Sequence, residues 1–386
     1  MPDTGETITL RTIERIGDLR ADDWDACAGD GNPFVTHTFL KALEDSQSVS
    51  GRTGWLPQHL IAEDRKGRII GCVPMYLKSH SYGEYVFDHG WAEAFARAGG
   101  RYYPKLQIAV PFTPVPGPRL LARGAAAPAI RAALARGLID VARRRNASSI
   151  HATFCAPADI EAFRAAGYLI RAGFQYHWEN RGYESFDAFL ATLSHGKRKA
   201  IRKERREVAA AGVRLVVLRG EALREEHWDA FFTFYEATAD AKWGNPYLTR
   251  AFFSRLQATM RERVVLMLVE HDGNWVAGAL NLVGSDTLYG RNWGAVAAFK
   301  HLHFETCYYQ ALEYAIAHRL ARVEAGAQGE HKLQRGYLPT RTFSAHWLAE
   351  RGFQRAVADF LGRETAQIDR VVDELMQHSP YKQADT

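Results

Sequence analysis

The chain is poor in the features that would mark a disulfide-framed, metal-held or membrane-spanning protein. Its 386 residues include four cysteines, Cys27, Cys72, Cys155 and Cys307, with no CxxC pair, so neither a disulfide framework nor a structural zinc site is expected. His301 and His303 precede a helical stretch, but no further His or Asp repeats at ligand spacing, and no metal is expected. The longest apolar candidate, Val264 to Val269, falls far short of the roughly 18 residues a membrane span needs. Met1-Pro-Asp-Thr-Gly-Glu6 has neither a basic nor an apolar stretch, and the expected location is the cytoplasm. Asn146-Ala-Ser148 matches a glycosylation sequon with no secretory signal beside it, so the match is chance. Neither a GxxxxGK loop ending in Ser or Thr nor GxGxxG occurs, which removes the sequence grounds for ATP or a dinucleotide.

What remains has the balance of a globular chain, 47% hydrophobic and 24% charged. It is too long for one ordinary core and suits two domains of somewhat under about 200 residues each. A duplication supports that division. Gly336-Tyr-Leu-Pro-Thr-Arg-Thr-Phe-Ser-Ala-His-Trp347 has a counterpart in Gly167-Tyr-Leu-Ile-Arg-Ala-Gly-Phe-Gln-Tyr-His-Trp178, where Gly, Tyr, Leu, Phe, His and Trp recur in register. Pro33–Leu43 and Pro246–Leu256 form a weaker pair, each with a tryptophan upstream, Trp24 and Trp228. The expectation is two similar lobes, 1–180 and 181–386.

Both halves read with one grammar. In the second, Arg214–Leu218 predicts a strand, Glu225–Ala239 and Arg250–Arg261 helices, and Val264–Glu270 a strand. A turn at His271-Asp-Gly273 leads to strands Trp275–Val283 and Thr287–Trp293, then a helix Phe304–Leu320, a strand Val323–Ala327 and a last strand around Phe343–Leu348. The first half predicts strands at Ile8–Ile13, Leu60–Glu63, Ile69–Leu77, Glu84–Asp88 and Ile150–Phe154, with a helix at Ala129–Arg145. This order resembles the acetyltransferase fold called GNAT, giving a mixed α/β (α+β) protein of two tandem GNAT-like lobes.

Four words sharpen the resemblance: Tyr102-Tyr-Pro-Lys-Leu106, Pro111-Phe-Thr-Pro-Val115, Leu302-His-Phe-Glu305 with Cys307-Tyr-Tyr-Gln310, and Gly326-Ala-Gln-Gly-Glu-His-Lys332 with Arg335. They are similar to the bacterial FemAB-like family of N-acyltransferases. The resemblance runs from about Asn32 to about Phe353 and implies transfer of an acyl or aminoacyl group from an activated donor to an amine. It implies no tightly bound cofactor, with acyl-CoA or aminoacyl-tRNA as the donor.

The most chemically loaded stretch follows a predicted strand, where Gln328, Glu330, His331, Lys332 and Arg335 gather on one glycine-bracketed loop. The matching stretch of the first half, Phe154–Arg164, lacks the Glu-His-Lys set. The reactive site is therefore expected in the second lobe, its loop groups at the surface of a cleft, and the first lobe is read as supporting or acceptor-binding. Glu305 and Tyr309, at i and i+4 with Tyr308 beside them, are candidates for proton transfer. The plainer reading is a strand-end turn and an amphipathic helix whose tyrosines pack inward.

The expected donor- and substrate-binding residues are Trp243, Tyr247, Arg291, Trp293 and His303, which combine rings or charge with element ends. Acetyltransferases hold the coenzyme A pyrophosphate on an Arg/Gln-x-x-Gly-x-Gly/Ala turn after the fourth strand. Asn292–His303 offers only Gly294 there, which argues against the usual coenzyme A turn. Ser194–Val208 carries seven basic and two acidic residues, a surplus equal to the +5 of the whole chain. Helical spacing there turns Arg198, Arg202 and Arg205 outward toward a polyanion, tRNA among the candidates; the alternative is a solvated linker helix. A reading from another class also stands: a catalytically silent cleft that binds an anionic ligand, a peptide or RNA.

Overall fold

A computed structural model describes residues 8–242, 246–326 and 329–382. The chain forms two compact units, one made of the residues up to Phe174 with Arg341–Asp369, the other of Gln175–Thr340 with the residues from Arg370 onward.

In chain order the first unit begins β1 (Thr9–Ile13), α1 (Ala21–Ala28), α2 (His37–Asp45), β2 (Trp55–Pro57), β3 (His59–Glu63), β4 (Ile69–Val73) and β5 (Met75–Lys78). It continues α3 (His89–Arg97), β6 (Lys105–Ile108), β7 (Leu121–Ala122), α4 (Ala127–Arg144), β8 (Ser149–Ala152), α5 (Pro157–Ala165) and β9 (Leu169–Glu179). Local sequence accounts for several boundaries. Thr36 caps α2 by accepting from Phe39 N, and α4 and α5 carry proline in their first turn, where its missing N–H costs nothing. Pro74 interrupts what reads as one strand, Ile69–Leu77. β4 pairs with β3, whereas β5 pairs with β2 and β6. The predicted strand Glu84–Asp88 is a loop, and its two carboxylates turn inward to Lys105.

Alternation gives the β5–β6–β8 sheet one apolar and one polar face. Leu77, Leu106 and Ile150 lie in register and join Leu134 and Leu138 of α4 in the core. On the opposite face Tyr76, Gln107 and His151 are in register, with Lys78 beside Lys105.

The second unit adds α6 (Phe186–Thr192), α7 (His195–Ala210), β10 (Val213–Leu218), α8 (Glu225–Lys242), α9 (Arg250–Met260), β11 (Val264–His271), β12 (Asn274–Val283) and β13 (Thr287–Ala295). α10 (Leu302–Phe304) then runs into a π-helical turn, Glu305–Tyr309, followed by α11 (Gln310–Ala317), β14 (Arg322–Glu324) and a 3-10 turn, Glu330–Arg335. The π turn breaks the predicted single helix Phe304–Leu320. β15 (Leu338–Leu348) and α12 (Arg351–Gln377) close the chain; the sequence reading held no counterpart to α12. β10 to β13 form an antiparallel meander whose β11 reads Val-Val-Leu-Met-Leu-Val and is buried on both faces. Its hairpin turns on Asp272 and Gly273, both at positive φ, as Asp-Gly predicts.

The duplicated words mark equivalent elements. Gly167 and Gly336 sit at φ +86 and +91, and each stands two residues before an 11-residue strand. The two strands end in different units. His177–Glu179 of β9 pair with β14, and Ala345–Leu348 of β15 pair with β8. The units therefore do not follow a single cut near residue 180, because Arg341–Asp369 belongs with the first. No helix among the described residues is long and apolar enough to cross a membrane.

Candidate active site

The second unit contains an opening made by strand geometry. β13 and β14 run parallel and pair only over Thr287–Tyr289 against Arg322–Glu324, while β13 continues to Ala295. From Gly290 onward β14 no longer pairs with β13. Gaps at the C-terminal ends of parallel strands are where α/β sheets admit ligands.

Glu324 ends β14 at this gap and is 4% exposed. Burial raises its carboxyl to about 7 against the pull of Arg322, 3.7 Å away. Its Oε2 has no hydrogen-bond partner among the described residues, and neither has His177 Nδ1, 3.9 Å from Glu324 Oε1. Burial, with Arg322 and Lys332 nearby, lowers the His177 imidazole to about 3. The pair is thus a neutral histidine beside a carboxyl poised near neutrality.

The loaded loop folds over this region. Gly326 and Gly329 take positive φ, and a Cβ on Gly329 would lie 2.6 Å from the His331 ring, so both glycines are demanded by the turn. His331 Nε2 lies 2.8 Å from Tyr308 Oη. The His303 ring is 5.3 Å from Tyr308 and 5.3 Å from Trp293 of β13, and 6.0 Å from His331. Lys332 is 1% exposed, which corrects the expectation that these loop groups lie at the surface. Among the described residues its ammonium makes one hydrogen bond, to Gly326 O at 2.9 Å, and burial lowers it to about 8. Arg335 is also buried. It stacks on Phe304 at 3.5 Å and donates to both oxygens of Glu204 at 2.9 Å and to His331 O at 2.8 Å.

Glu305 and Tyr309 are placed elsewhere than expected. The π turn alters the helical pitch between them, and both face α7. Glu305 accepts from Arg205 Nε and Nη2 at 3.0 and 2.9 Å and from Gln310 at 2.8 Å, and Tyr309 Oη bonds Glu204. Arg205 accordingly points inward to Glu305 and Glu313 rather than outward. Arg202 is exposed and donates to Asp187 at 2.8 Å; Arg198 is half-buried on the same helix. Phe186, Leu190, Arg202, Arg205, Glu305 and Glu313 line part of a cavity of about 500 Å³ there.

Arg291 lies on β13 two residues past its last pairing with β14, half-buried. Glu330 is exposed at the start of the 3-10 turn. Tyr247 donates its N–H to Tyr235 Oη at 3.1 Å. Trp243 and Gln328 lie outside the described residues. Gly294 is inside β13, and a Cβ there would lie 2.3 Å from the Phe234 backbone, so it serves α8 packing and not a phosphate turn. Glu324, His177 and Glu204 escaped the sequence reading as site residues, whereas Tyr308 was noted there only beside Glu305 and Tyr309. The one signal was a carboxylate closing the short strand Arg322-Val-Glu324.

Residues 15–383 match the model of the FemAB-like family, described as peptidoglycan biosynthesis/recognition, and the chain belongs to that family. No curated protein matches it. Among solved structures, FemX is 11% identical with a TM-score of 0.54, over 91% of this chain and 100% of that one. L-PGS from Bacillus licheniformis is 10% identical with a TM-score of 0.51, over 87% of this chain and 98% of the other. A protein of unknown function from Bacteroides thetaiotaomicron is 12% identical with a TM-score of 0.52, over 88% and 99%. At such identities these likenesses concern the fold alone, which is mixed α/β.

Proposed function

We propose that the chain is an N-acyltransferase that moves an acyl or aminoacyl group from an activated donor to an amine, with its chemistry where β13 and β14 part. The observation that carries this reading is the parting of β13 and β14 with the buried Glu324, one carboxylate oxygen unpartnered among the described residues, at its mouth. Family membership and the GNAT-type fold support a transferase.

In this reading the donor carbonyl lies beside β13 where β14 has parted from it, among groups already fixed in place and needing no reorganisation. The Lys332 ammonium, with donors to spare, stabilises the charge that develops on the carbonyl oxygen. Glu324, raised toward neutrality, takes the proton of the attacking amine, and the Tyr308–His331 pair returns one to the leaving group. Acyl-CoA and aminoacyl-tRNA remain the donor candidates, and the first unit is the supporting or acceptor-binding partner. Mass spectrometry of co-purified ligands followed by transfer assays tests the reading. Wild-type protein should acylate an amine, and Glu324→Gln should lose about a hundredfold in rate without a lower melting temperature. A tightly held ligand with no transfer under any donor would make the cleft a binding site only.

A further inference from the structure

Each duplicated word carries a histidine, and the two copies are finished differently. His346 of β15 stands opposite His151 of β8, and His177 of β9 stands opposite Glu324 of β14, each pair in antiparallel register. Each histidine also turns Nε2 to the side chain two residues before it, His346 to Ser344 Oγ at 2.9 Å and His177 to Gln175 Oε1 at 3.3 Å. The likeness stops at the other nitrogen. His346 Nδ1 lies 2.7 Å from His151 Nδ1, so the first copy is closed. His177 Nδ1 has no partner among the described residues, and Glu324 Oε1 is 3.9 Å away, beyond hydrogen-bond reach.

The open copy offers a pair of acceptors. Gln175 Oε1 accepts the Nε2 proton, which leaves Nδ1 with its lone pair. Burial, with Arg322 and Lys332 nearby, keeps the ring neutral, so Nδ1 accepts a hydrogen bond without taking the proton. Glu324 has Oε1 3.7 Å from Arg322, and its Oε2 is without a partner among the described residues. Both residues are 4% exposed. Buried acceptors left without donors are costly, and two on directly opposed residues, beside the parting of β13 and β14, call for a ligand atom that carries two hydrogens.

We propose that His177 and Glu324 together select the acceptor as an unhindered primary amine, His177 Nδ1 accepting one N–H and Glu324 Oε2 the other, an inference that rests on the transferase reading. A primary amine has two N–H groups and one lone pair. With both hydrogens held by the pair, the lone pair faces away from them, toward the donor carbonyl. The nitrogen attacks the carbonyl carbon of R–CO–X, the C–X bond breaks, Glu324 takes the proton it holds, and X leaves with a proton from the Tyr308–His331 pair. The second hydrogen stays on nitrogen as the amide N–H, still donated to His177 Nδ1. Exchange with solvent returns both proton-carrying groups to their starting state, so the sum is R–CO–X plus R′NH2 giving R–CO–NHR′ plus HX. A secondary amine or an alcohol fills one acceptor and strands the other.

The probe is 2,2,2-trifluoroethylamine, a primary amine that is neutral at pH 8, titrated into the full chain and read by fluorine NMR with no donor present. Wild-type protein should bind it at least about tenfold more tightly than N-methyl-2,2,2-trifluoroethylamine or 2,2,2-trifluoroethanol. His177→Phe, which keeps the ring and drops the acceptor, should lose about tenfold in affinity for the amine and most of the preference. His177→Asn, whose Oδ1 stands in for Nδ1, should keep both. The wild-type series alone decides the matter if a variant fails to fold. Equal binding of the three probes, binding of none, or His177→Phe holding the amine as wild type does would overturn the proposal, leaving a bridging water as the occupant, and would leave the transferase reading to the Glu324→Gln assay. Selective, His177-dependent binding with no transfer from any donor would keep the amine site and sink the transferase reading instead.

Discussion

Each unit holds one parallel strand pair beside buried charge, and the two pairs are finished in opposite ways. In the first unit β6 and β8 pair over Leu106–Ile108 against Ile150–Ala152. Past them Gly117 takes the strand edge, donating to Phe154 O at 3.0 Å and accepting from Ala156 N at 2.9 Å. Arg119, 1% exposed, seals the same place with bonds to Thr153 O at 2.9 Å and Val115 O at 2.7 Å. In the second unit the edge of β13 beyond Tyr289 is not taken up by β14. The charges follow suit. Lys105 directs all three donors, to Ser81, Glu84 and Asp88, whereas among the described residues Lys332 directs one. A buried lysine is therefore not in itself the sign of a site, and the proposal rests on the contrast between these two.

The largest expected effect tests that contrast directly. Lys105→Met strands Glu84 and Asp88 in the interior and should cost about 3–5 kcal/mol, read as a lower urea midpoint at constant m-value. Lys332→Met fills similar volume while removing an under-partnered charge, so its midpoint should move by less than about 1 kcal/mol even as transfer collapses. Equal destabilisation by both would erase the distinction between sealed and open units.

Titration offers the next effect. Burial first, with Arg322 opposing it, sets Glu324 at about 7 in the folded chain against 4.5 as the ordinary value. Since the folded pKa is the higher, this group's contribution to stability is complete below about pH 4.5 and is lost as pH rises through about 7. Glu324→Gln should remove that decline, worth up to about 3 kcal/mol between pH 4.5 and 8 in urea titrations. Asp88 behaves in the opposite sense. Burial alone would raise it, but Lys105 and His151 hold it well below the usual carboxylate range, so its own contribution to stability is present at neutral pH and is lost only in acid.

What was legible in the sequence was local. The Asp272-Gly273 hairpin, the glycines before β9 and β15 and the apolar run of β11 each follow from a residue and its neighbours. The exchange of strand ends between units depends on partners far away in sequence, so duplication pointed to two lobes but not to the return of Arg341–Asp369. Glu84–Asp88 read as a strand because nothing local says that its acids answer Lys105. The π turn over Glu305–Tyr309, which brings both residues against α7, is a property of a hydrogen-bond ladder that helical spacing does not encode. Lys332 was found by its loop, but its burial, which gives it chemical interest, was invisible.

Two glycines on β13 sharpen the contrast on a smaller scale. A methyl group on Gly294 would overlap the Phe234 backbone, so Gly294→Ala should lower stability by about 1–3 kcal/mol in thermal unfolding. On Gly290 it would meet Ala325 and Asn281 at ordinary contact, 3.5 Å each. Gly290→Ala should therefore melt like wild type while slowing transfer, because the added methyl stands beside the edge proposed for the donor.

The smallest effect on stability, and the one that separates donors, concerns α7. Lys199, Arg202, Lys203 and Arg206 are exposed at i, i+3, i+4 and i+7 and form one cationic stripe. Lys197, Arg198 and Lys199 also crowd the first turn, where the helix dipole disfavours positive charge by about 0.3–1 kcal/mol per residue. A sequence tuned for folding alone would place acids there. Arg198→Glu with Lys199→Glu should thus raise the melting temperature slightly, while Arg206→Glu leaves it unchanged, since exposed charges contribute little. If the stripe meets a tRNA backbone, the triple reversal should abolish binding, and wild-type affinity should fall steeply on a log–log salt plot because several phosphates release counterions. Coenzyme A, with few phosphates, would give a shallow slope and a smaller loss. A stabilised triple variant that binds both donors as wild type does would reduce α7 to a solvated helix and leave the open edge of β13 as the whole of the donor site.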